Sequence, residues 1–341
     1  MELLAQSFDL DGNQVVIGVS VGIAVAPEGG GTPAQMLQQG DMALYSAKAA
    51  GRGAFRFFEQ EMNDSLAQRK ALEADLRLAL LEGQFRLHFQ PQTGLGAGSA
   101  APVIQGAEAL IRWTSPTRGE MPPDVFIPLA EETGLIIPIG EWVLREACTV
   151  ALRWARPLSV AVNVSAVQFR RPGFVTMVED VLAETGLPPS RLELEITESV
   201  MMEDEAAAMA VMDSLREIGV RVAMDDFGTG YSSLGYLRKF RFDKIKIDRS
   251  FVQGLGKNGE AEAIVRAVVG ISHALGIRAN AEGVETAEQA ALLSIEGCSE
   301  VQGYLFGKPM PGADFAELLE RTAAGDQREM ARRATAPVEV S

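Results

Sequence analysis

Apolar runs and polar breaks alternate along the chain from residue 85 onwards. Eight runs have the length and composition of buried strands, and most intervals between them carry the apolar spacing of helices. The strand-like runs cover 85–90, 104–112, 158–164, 191–197, 220–225, 242–247, 277–281 and 298–304, and the clearest helical patterns cover 137–154, 203–217 and 260–275. Eight strands with helices between them predict a (β/α)8 barrel, whose usual size is about 250 residues.

The interval after the first strand differs from the others. It has no helical pattern and contains Gly94, Gly96 and Gly98. A parallel crossover needs a long connection, usually a helix, whereas a loop can join antiparallel neighbours. We therefore predict an α/β fold, a modified (β/α)8 TIM-type barrel in which the first strand runs antiparallel.

Residues 1–60 have a different pattern and predict a small α+β fragment. A β-rich run covers 15–26, and Thr32-Pro33 is typical of a helix start, with threonine as N-cap. That helix is expected to end near Gly51, and a last strand covers the phenylalanines of 55–58. One strand-helix-strand unit is too small to bury a core alone.

A periodic segment and a polar tail complete the organisation of the chain. Residues 61–82 read as a helix that links the fragment to the barrel, and the last residues, 326–341, read as disordered. The leucines expected on or near one face of the linker helix are Leu66, Leu72, Leu76, Leu80 and Leu81.

Composition narrows the classes of function. The net charge of −15 disfavours binding to polymeric nucleic acid. Cys148 and Cys298 are too few for a disulfide framework, and His88 and His273 are too few for a histidine zinc site. Because no membrane span or signal peptide is recognisable, we expect a cytoplasmic fragment without membrane contact. Its parent protein could still carry a membrane anchor upstream.

Oxygen donors and one lysine follow the predicted barrel strands, and in such barrels the chemistry lies at the carboxyl ends of the strands. A single acid at a strand end is usually a solvated loop residue or a helix cap. Seven strand ends with such residues instead predict a shared site, and oxygen-only donors favour Mg²⁺ or Mn²⁺ over zinc. The residues are Glu108, Asn163, Glu195, Glu198, Asp225, Asp226, Lys246, Asp248, Glu282, Glu285 and Gln302.

The adjacent acids Asp225 and Asp226 are the centre of this prediction, although a solvated turn is the alternative. Several carboxylates at one barrel mouth repel each other unless cations lie between them. Two divalent ions would relieve the repulsion, with Asp225 as bridge and Asp226 reaching the second ion from the first loop position. Lys246 could orient water or, with a lowered pKa, accept its proton. A structural ion pair is the alternative for Lys246.

Short motifs around these residues resemble one known family. Glu108-Ala109-Leu110 matches the tripeptide that names the EAL domain, found in bacterial phosphodiesterases that linearise cyclic di-GMP. The resemblance extends in order over about residues 66–320, so we take 66–325 as an EAL-like domain. The further matching segments are Asn163-Val164-Ser165, Glu195-Ile196-Thr197-Glu198-Ser199, 225–230, Lys246-Ile247-Asp248, 281–285 and 302–306.

The resemblance implies a barrel with one antiparallel strand, a homodimer formed through the barrel, and roles for single residues. Lys246, Glu282 and Glu108 would be catalytic. The metal ligands would be Glu108, Asn163, Glu195, Asp225, Asp226 and Glu282. Substrate contacts would be Gln90, Arg112, Asp248 and Gln302. Glu198 would anchor the loop after Asp226, unless it is an ordinary surface carboxylate.

The implied activity is hydrolysis of cyclic di-GMP to linear pGpG with two Mg²⁺ or Mn²⁺ ions. A receptor that binds cyclic di-GMP without cutting it is the alternative, and a regulatory scaffold is a third. Three positions depart from the family pattern, namely Gln92, Ser299 and Asn280. We expect Gln92 and Ser299 not to touch the metal ligands, and Asn280 to cost stability in a usually apolar strand.

Residues 1–60 resemble the C-terminal part of a GGDEF domain, the diguanylate cyclase fold. Ser20-Val21-Gly22-Ile23-Ala24 and segment 41–48 carry this likeness, together with Gly51-Arg52. The naming turn of that family is absent, and Lys48 and Arg52 match only part of a phosphate site. We therefore expect no cyclase activity.

Overall fold

The computed structural model describes residues 7–10, 13–26, 32–49, 51, 53–95, 102–202, 204–228, 234–257 and 259–323. The chain divides into two compact units, Met1–Leu78 and Ala79–Ser341. The domain boundaries expected from the sequence stay predictions. The tail expected to be disordered, 326–341, lies outside the described residues.

The first unit contains a parallel strand-helix-strand motif. Strands β3 (Val21–Ile23) and β4 (Phe55–Phe57) pair in parallel, and helix α1 (Pro33–Ala49) connects them. Gly22 of β3 allows close packing because a Cβ there would collide with the backbone of Gly40 and Leu44 in α1. The elements of the first part of the chain are β1 (Ser7–Leu10), β2 (Asn13–Val16), β3 (Val21–Ile23), α1 (Pro33–Ala49), β4 (Phe55–Phe57) and α2 (Gln60–Leu81).

Two details here differ from the sequence prediction. The run predicted over 15–26 is divided, because β2 pairs with β1 in an antiparallel hairpin whereas β3 pairs with β4. On α2, Leu76 is fully buried, but Leu81 is 82% exposed. Adjacent helical residues differ by about 100°, so Leu80 and Leu81 cannot share one face.

The second unit is a closed barrel of eight strands. Strand β5 (Phe85–Gly94) pairs antiparallel with both β6 (Val103–Ser115) and β13 (Glu300–Gln302). The remaining barrel pairs are parallel. This confirms the predicted modified barrel and its antiparallel first strand. Two short strands, β7 and β14, add to β6 and β5. The strands are β5 (Phe85–Gly94), β6 (Val103–Ser115), β7 (Gly119–Met121), β8 (Ser159–Asn163), β9 (Leu192–Thr197), β10 (Arg221–Phe227), β11 (Lys244–Ile247), β12 (Arg278–Ala281), β13 (Glu300–Gln302) and β14 (Met310–Pro311).

Helices follow most strands, and capping chemistry fixes where some of them begin. Ser165 and Thr286 each form a capping box with a glutamine three residues later, just after β8 and β12. The helices are α3 (Pro123–Thr133), α4 (Ile136–Leu152), α5 (Ala166–Phe169), α6 (Phe174–Thr185), α7 (Ser199–Met202), α8 (Glu205–Glu217), α9 (Leu234–Lys239), α10 (Arg249–Gln253), α11 (Gly259–Leu275), α12 (Ala287–Ile295) and α13 (Gly312–Ala323), with a short 3₁₀ turn at Pro189–Arg191.

The inside of the barrel is charged, although branched aliphatic residues usually fill this space. Near the amino ends of the strands, Lys244 Nζ lies 2.6 Å from Glu193 and 2.7 Å from Glu300. Arg278 contacts the same two carboxylates at 3.2 and 2.6 Å. We call these four residues the lower ion cluster. Its two positive and two negative charges balance, which is what burial of ions requires.

Candidate active site

Lys246 lies among four carboxylates at the carboxyl end of the barrel. Its Nζ is 2.6 Å from Glu282, 2.7 Å from Glu195, 3.1 Å from Asp225 and 3.8 Å from Glu108. The acids come from different strands or the residue just after a strand, and the closed sheet brings them together. Lys246 is 1% exposed. Four of the acids predicted at separate strand ends therefore meet around one ammonium group.

Amide side chains hold Glu108 in place. Asn163 Nδ2 donates to one oxygen of Glu108 at 2.6 Å, and Gln302 Nε2 donates to the other at 2.6 Å. Gln302 Nε2 also donates to Gln90 Oε1 at 3.0 Å, and Gln90 Nε2 donates to the carbonyl of Gly307. Buried Gln302 Oε1 has no hydrogen-bond partner among the described residues. It is an oxygen available to a ligand.

The carboxylates perturb each other's ionisation. Burial raises the pKa of Glu195 well above its ordinary value, and the charge on Glu108 adds to the rise. Burial likewise raises the pKa of Glu282 to about 8, although Lys246 opposes this. Burial also raises the pKa of Glu108, but Lys246 and the amide donors outweigh burial and lower this pKa overall. If all four acids were ionised, the site would have more negative charge than its single lysine can neutralise, and the raised pKa values of Glu195 and Glu282 reflect this.

The pKa of Lys246 bears on one of its two expected roles. Burial lowers it, but the charges of Asp225, Glu108, Glu195 and Glu282 outweigh burial and raise it well above the ordinary value. A lowered pKa, the condition for Lys246 to accept a proton, is therefore not met in the chain without metal, because the acids stabilise the ammonium form more than burial destabilises it.

Asp225 and Asp226 lie in an irregular part of β10. The pairing of β10 with β11 shifts register between Met224 and Phe227, as in a β-bulge. Asp226 has φ of 53° and is the one residue other than glycine with positive φ in the part of the chain described. Partial burial and the charges of Asp225 and Asp248 raise its pKa. The strand continues to Phe227, so the expected loop position of Asp226 is wrong; the residue lies in the bulge.

The donor set fits divalent cations. The gathered side chains offer carboxylate and amide oxygens, the ligands that Mg²⁺ and Mn²⁺ prefer. Among the described residues, no three His, Cys, Asp or Glu side chains are spaced to hold a metal ion as they stand. Lys246 lies between the carboxylates and neutralises part of their charge. The surplus of negative charge and the unpaired Gln302 oxygen nevertheless suit a metal.

A groove opens next to Asn163, the residue that donates to Glu108. It has a volume of about 610 Å³ and is lined by Arg112, Asn163 and apolar residues of β6, α3 and α4. Arg112 NH1 donates to the carbonyl of Ile111, which orients the guanidinium. Asp248 caps α10 by accepting from Ser250 N. Its negative charge contributes to the raised pKa of Asp226. The substrate roles of Gln90, Arg112, Asp248 and Gln302 stay predictions.

Glu198 follows β9 directly, and its carbonyl accepts from Met201 N. The loop that it is expected to anchor includes residues 229–233, which lie outside the described residues. Its role as an anchor stays a prediction.

Gln92 corrects the expectation that it lies away from the metal ligands. Its Nε2 donates to Glu195 Oε1 at 3.3 Å, and its Oε1 accepts from Lys244 at 3.3 Å. Gln90 and Gln92 are two residues apart on β5 and so share a face, a signal that could have placed Gln92 inside the barrel.

Asn280 is fully buried, and neither amide atom has a partner among the described residues. Ser299 Oγ accepts from Ala279 N.

In the described residues, no helix is long and apolar enough to cross a membrane.

Two family models match the chain. Residues 73–309 match the EAL domain, and residues 1–54 match the diguanylate cyclase GGDEF domain. An uncharacterized signaling protein of Caulobacter vibrioides is 48% identical over 96% of this chain and 39% of its own length. The bifunctional diguanylate cyclase/cyclic di-GMP phosphodiesterase MucR of Pseudomonas aeruginosa is 42% identical over 90% of this chain and 45% of its own length.

Solved structures share the barrel. The structure of the PaMucR phosphodiesterase in complex with c-di-GMP has a TM-score of 0.68 and 43% identity, covering 72% of this chain and 99% of that chain. The chain spans less than half of the length of the curated relatives named above.

Proposed function

The chain belongs to the EAL domain family, and from this we propose that it is a metal-dependent phosphodiesterase that hydrolyses cyclic di-GMP to linear pGpG. The observation that carries the proposal is the meeting of Glu108, Glu195, Asp225 and Glu282 around Lys246. The relative MucR is named as a bifunctional diguanylate cyclase/cyclic di-GMP phosphodiesterase, which supports the same substrate.

The proposed metal ligands divide between two ions. Glu108, Asn163, Glu195 and Asp225 would hold one, and Asp225 and Asp226 would hold the second. Glu282 would bind a metal or orient the attacking water. Divalent ions at this position would make water a better nucleophile at neutral pH and stabilise charge on the phosphate. Mg²⁺ and Mn²⁺ suit the oxygen donors.

The chain's own groups would position substrate and move protons. A water oxygen forms a bond to one phosphorus, the bond from that phosphorus to a 3′ oxygen breaks, and this oxygen leaves as a hydroxyl after gaining a proton. Lys246 lies among the acids and would orient the water or relay its proton, with Glu282 and Glu108 beside it. Arg112 in the groove would hold a phosphate through its bidentate guanidinium.

A receptor that binds cyclic di-GMP without hydrolysis is the second candidate. The position of Lys246 favours it, since the ammonium already pairs with three of the carboxylates at 3.1 Å or less. An ion pair of this kind could stabilise the barrel without any metal. The receptor would bind substrate in the groove and leave it intact.

The remaining proposals concern assembly, the GGDEF fragment, other partners and cellular location. We expect a homodimer formed through the barrel, and no synthesis of cyclic di-GMP by the GGDEF fragment. The fragment could instead regulate the barrel. We also expect no binding to polymeric nucleic acid and, for this part of the protein, a cytoplasmic location.

The experiment is an incubation of the purified protein with cyclic di-GMP and Mn²⁺ or Mg²⁺, followed by separation of the nucleotides. We expect pGpG, and we expect its formation to stop with EDTA or in Glu108→Ala. Intact cyclic di-GMP with the wild-type chain, together with measurable binding, would support the receptor. Turnover that survives EDTA would contradict the metal-dependent mechanism.

A further inference from the structure

We propose that Gln92 is a positioning residue that holds the carboxylate of Glu195 for metal binding and couples it to the lower ion cluster. The proposal rests on the proposed function, because it concerns one of the proposed metal ligands. It assigns a role to a residue that the motif comparison treats as a departure without consequence.

Gln92 is 1% exposed and bridges two charged groups. Its Nε2 donates to Glu195 Oε1 and its Oε1 accepts from Lys244 Nζ, each at 3.3 Å. An ammonium can only donate, so the Gln92 atom that faces Lys244 has to be its oxygen, and its nitrogen is left to donate to Glu195. The neighbours therefore allow one orientation of the amide, with oxygen towards Lys244 and nitrogen towards Glu195.

Lys244 is itself fixed. Its ammonium has three donors, and its three close neighbours are Glu193 at 2.6 Å, Glu300 at 2.7 Å and Gln92 at 3.3 Å. Arg278 contacts both of these carboxylates from another strand. The amide of Gln92 therefore accepts from a buried lysine whose two other close contacts are ion pairs.

The bridge determines which oxygen of Glu195 is available. Gln92 engages Oε1, while Oε2 pairs with Lys246 at 2.7 Å. Oε2 is then the oxygen that can exchange its ammonium partner for a metal ion. Hydrogen bonds to a ligating carboxylate fix its orientation, and their loss typically weakens metal affinity by about 10–100-fold.

The backbone leaves room for this arrangement. Gln92 is directly opposite Gly106 on β6 and opposite Gln302 on β13, so its side chain shares a face with the site. A Cβ on Gly106 would lie 3.3 Å from Gln92 Oε1 and would collide with Ser159. The glycine therefore keeps open the space that the glutamine amide occupies.

The test measures Mn²⁺ binding to the metal-free full chain without substrate, by the electron paramagnetic resonance signal of free Mn²⁺. The variants are Gln92→Met, which keeps the length and removes the amide, and Gln92→Asn, whose shorter amide cannot reach both partners. The control is Gln289→Met, the same substitution at a buried glutamine that caps α12. We expect about 10–100-fold weaker Mn²⁺ binding in both Gln92 variants and an unchanged affinity in the control.

Each outcome decides a claim. Wild-type affinity in the folded Gln92 variants would overturn the positioning role and leave the proposed function standing. An equal loss in Gln289→Met would also overturn it, since the effect would then reflect general loss of stability. Circular dichroism checks folding, and Gln92→Asn carries the test if the methionine variant does not fold. Absence of Mn²⁺ binding by the wild-type chain would overturn the metal-dependent function, and this inference with it.

Discussion

Lys246 is the residue on which the charge balance of the site depends. Four carboxylates lie within 3.8 Å of its ammonium, and a fifth, Asp226, follows Asp225 in the chain. Their charges raise its pKa despite its burial. An ammonium in this position can hold a water or a phosphate oxygen in line, and it gives up its proton only when other cations share the acids.

Replacing Lys246 with alanine should slow turnover far more than it weakens substrate binding. Loss of a group that positions or relays a proton typically costs about 10²–10⁴-fold in rate. The measurement is kcat and KM for cyclic di-GMP at saturating Mn²⁺, with direct binding of substrate in Ca²⁺. A large rise in KM with normal kcat would instead make Lys246 a substrate anchor.

Single residues at strand ends were predictable, whereas the hydrogen bonds and ion pairs between side chains of different strands were not. Glu195 and Lys246 lie near the carboxyl ends of strand-like runs, so the barrel rule places both at one rim. Gln92 lies inside a strand, and its partner Glu195 is 103 residues away. Only the closed sheet brings such residues together. The same holds for the lower ion cluster, because Glu193 and Lys244 resemble ordinary polar positions of a strand.

Strand β10 is the element that joins regular structure to the site. It is parallel to β9 over five residues, but its pairing with β11 slips after Met224. The slip gives Asp226 a φ of 53°, a region that costs non-glycine residues free energy and often marks functional sites. Gly228 follows with φ of 100° and lies against Phe251.

Gly228→Ala should disturb the site as well as the fold. A Cβ there would lie 2.9 Å from the Phe251 ring, in addition to the strain of positive φ. We expect a loss of about 1–3 kcal/mol in unfolding free energy, and a weaker response of turnover to Mn²⁺ because Asp226 is displaced. Urea unfolding and Mn²⁺ titration of activity measure the two effects.

Gly186→Ala is the matched control. Gly186 has φ of 75°, and a Cβ there would meet nothing within 4 Å. It should lose about 1–2 kcal/mol from strain alone and keep its response to Mn²⁺. If both variants lose Mn²⁺ response equally, the bulge has no special link to the site.

Elements with long apolar runs were predictable, and short or irregular ones were not. All eight predicted barrel strands occur, and even the three-residue β13 lies within a longer strand-like run of the sequence, 298–304. The pair Met310–Pro311 in β14 is too short to show any period. The β10 bulge depends on pairing with β11, so no local pattern reveals that the strand continues past Asp226.

The whole barrel has an interior whose two ends differ in charge. The lower ion cluster is balanced, while the upper site gathers Glu108, Glu195, Asp225 and Glu282 around Lys246. Buried ions are tolerated when they are paired and are costly otherwise. The lower end therefore suits the barrel without any ligand, whereas the upper end would gain from the cations of the proposed function. A ligand that binds only the folded state stabilises it.

Without metal, the barrel should lose stability as pH rises from about 5 to about 8. The folded pKa of Glu282 is about 8, and that of Glu195 is also raised, whereas an unfolded glutamate titrates near about 4.3. Between these values the folded state holds protons that the unfolded state has released. Stability then falls by at most about 1.4 kcal/mol per pH unit for each such proton.

The same relation between pKa and stability predicts how the barrel loses stability at acid pH and what two controls should show. Glu108 and Glu193 have lowered folded pKa values, so their contribution is present above about pH 4.3 and is lost below it. Urea unfolding of the EDTA-treated chain should therefore show greatest stability near about pH 5. Glu282→Gln should flatten the decline towards pH 8, and saturating Mn²⁺ should oppose it because bound cations favour the ionised acids. A metal-free barrel that gains stability from pH 5 to 8 would show that the upper site does not have the uncompensated charge inferred from its geometry.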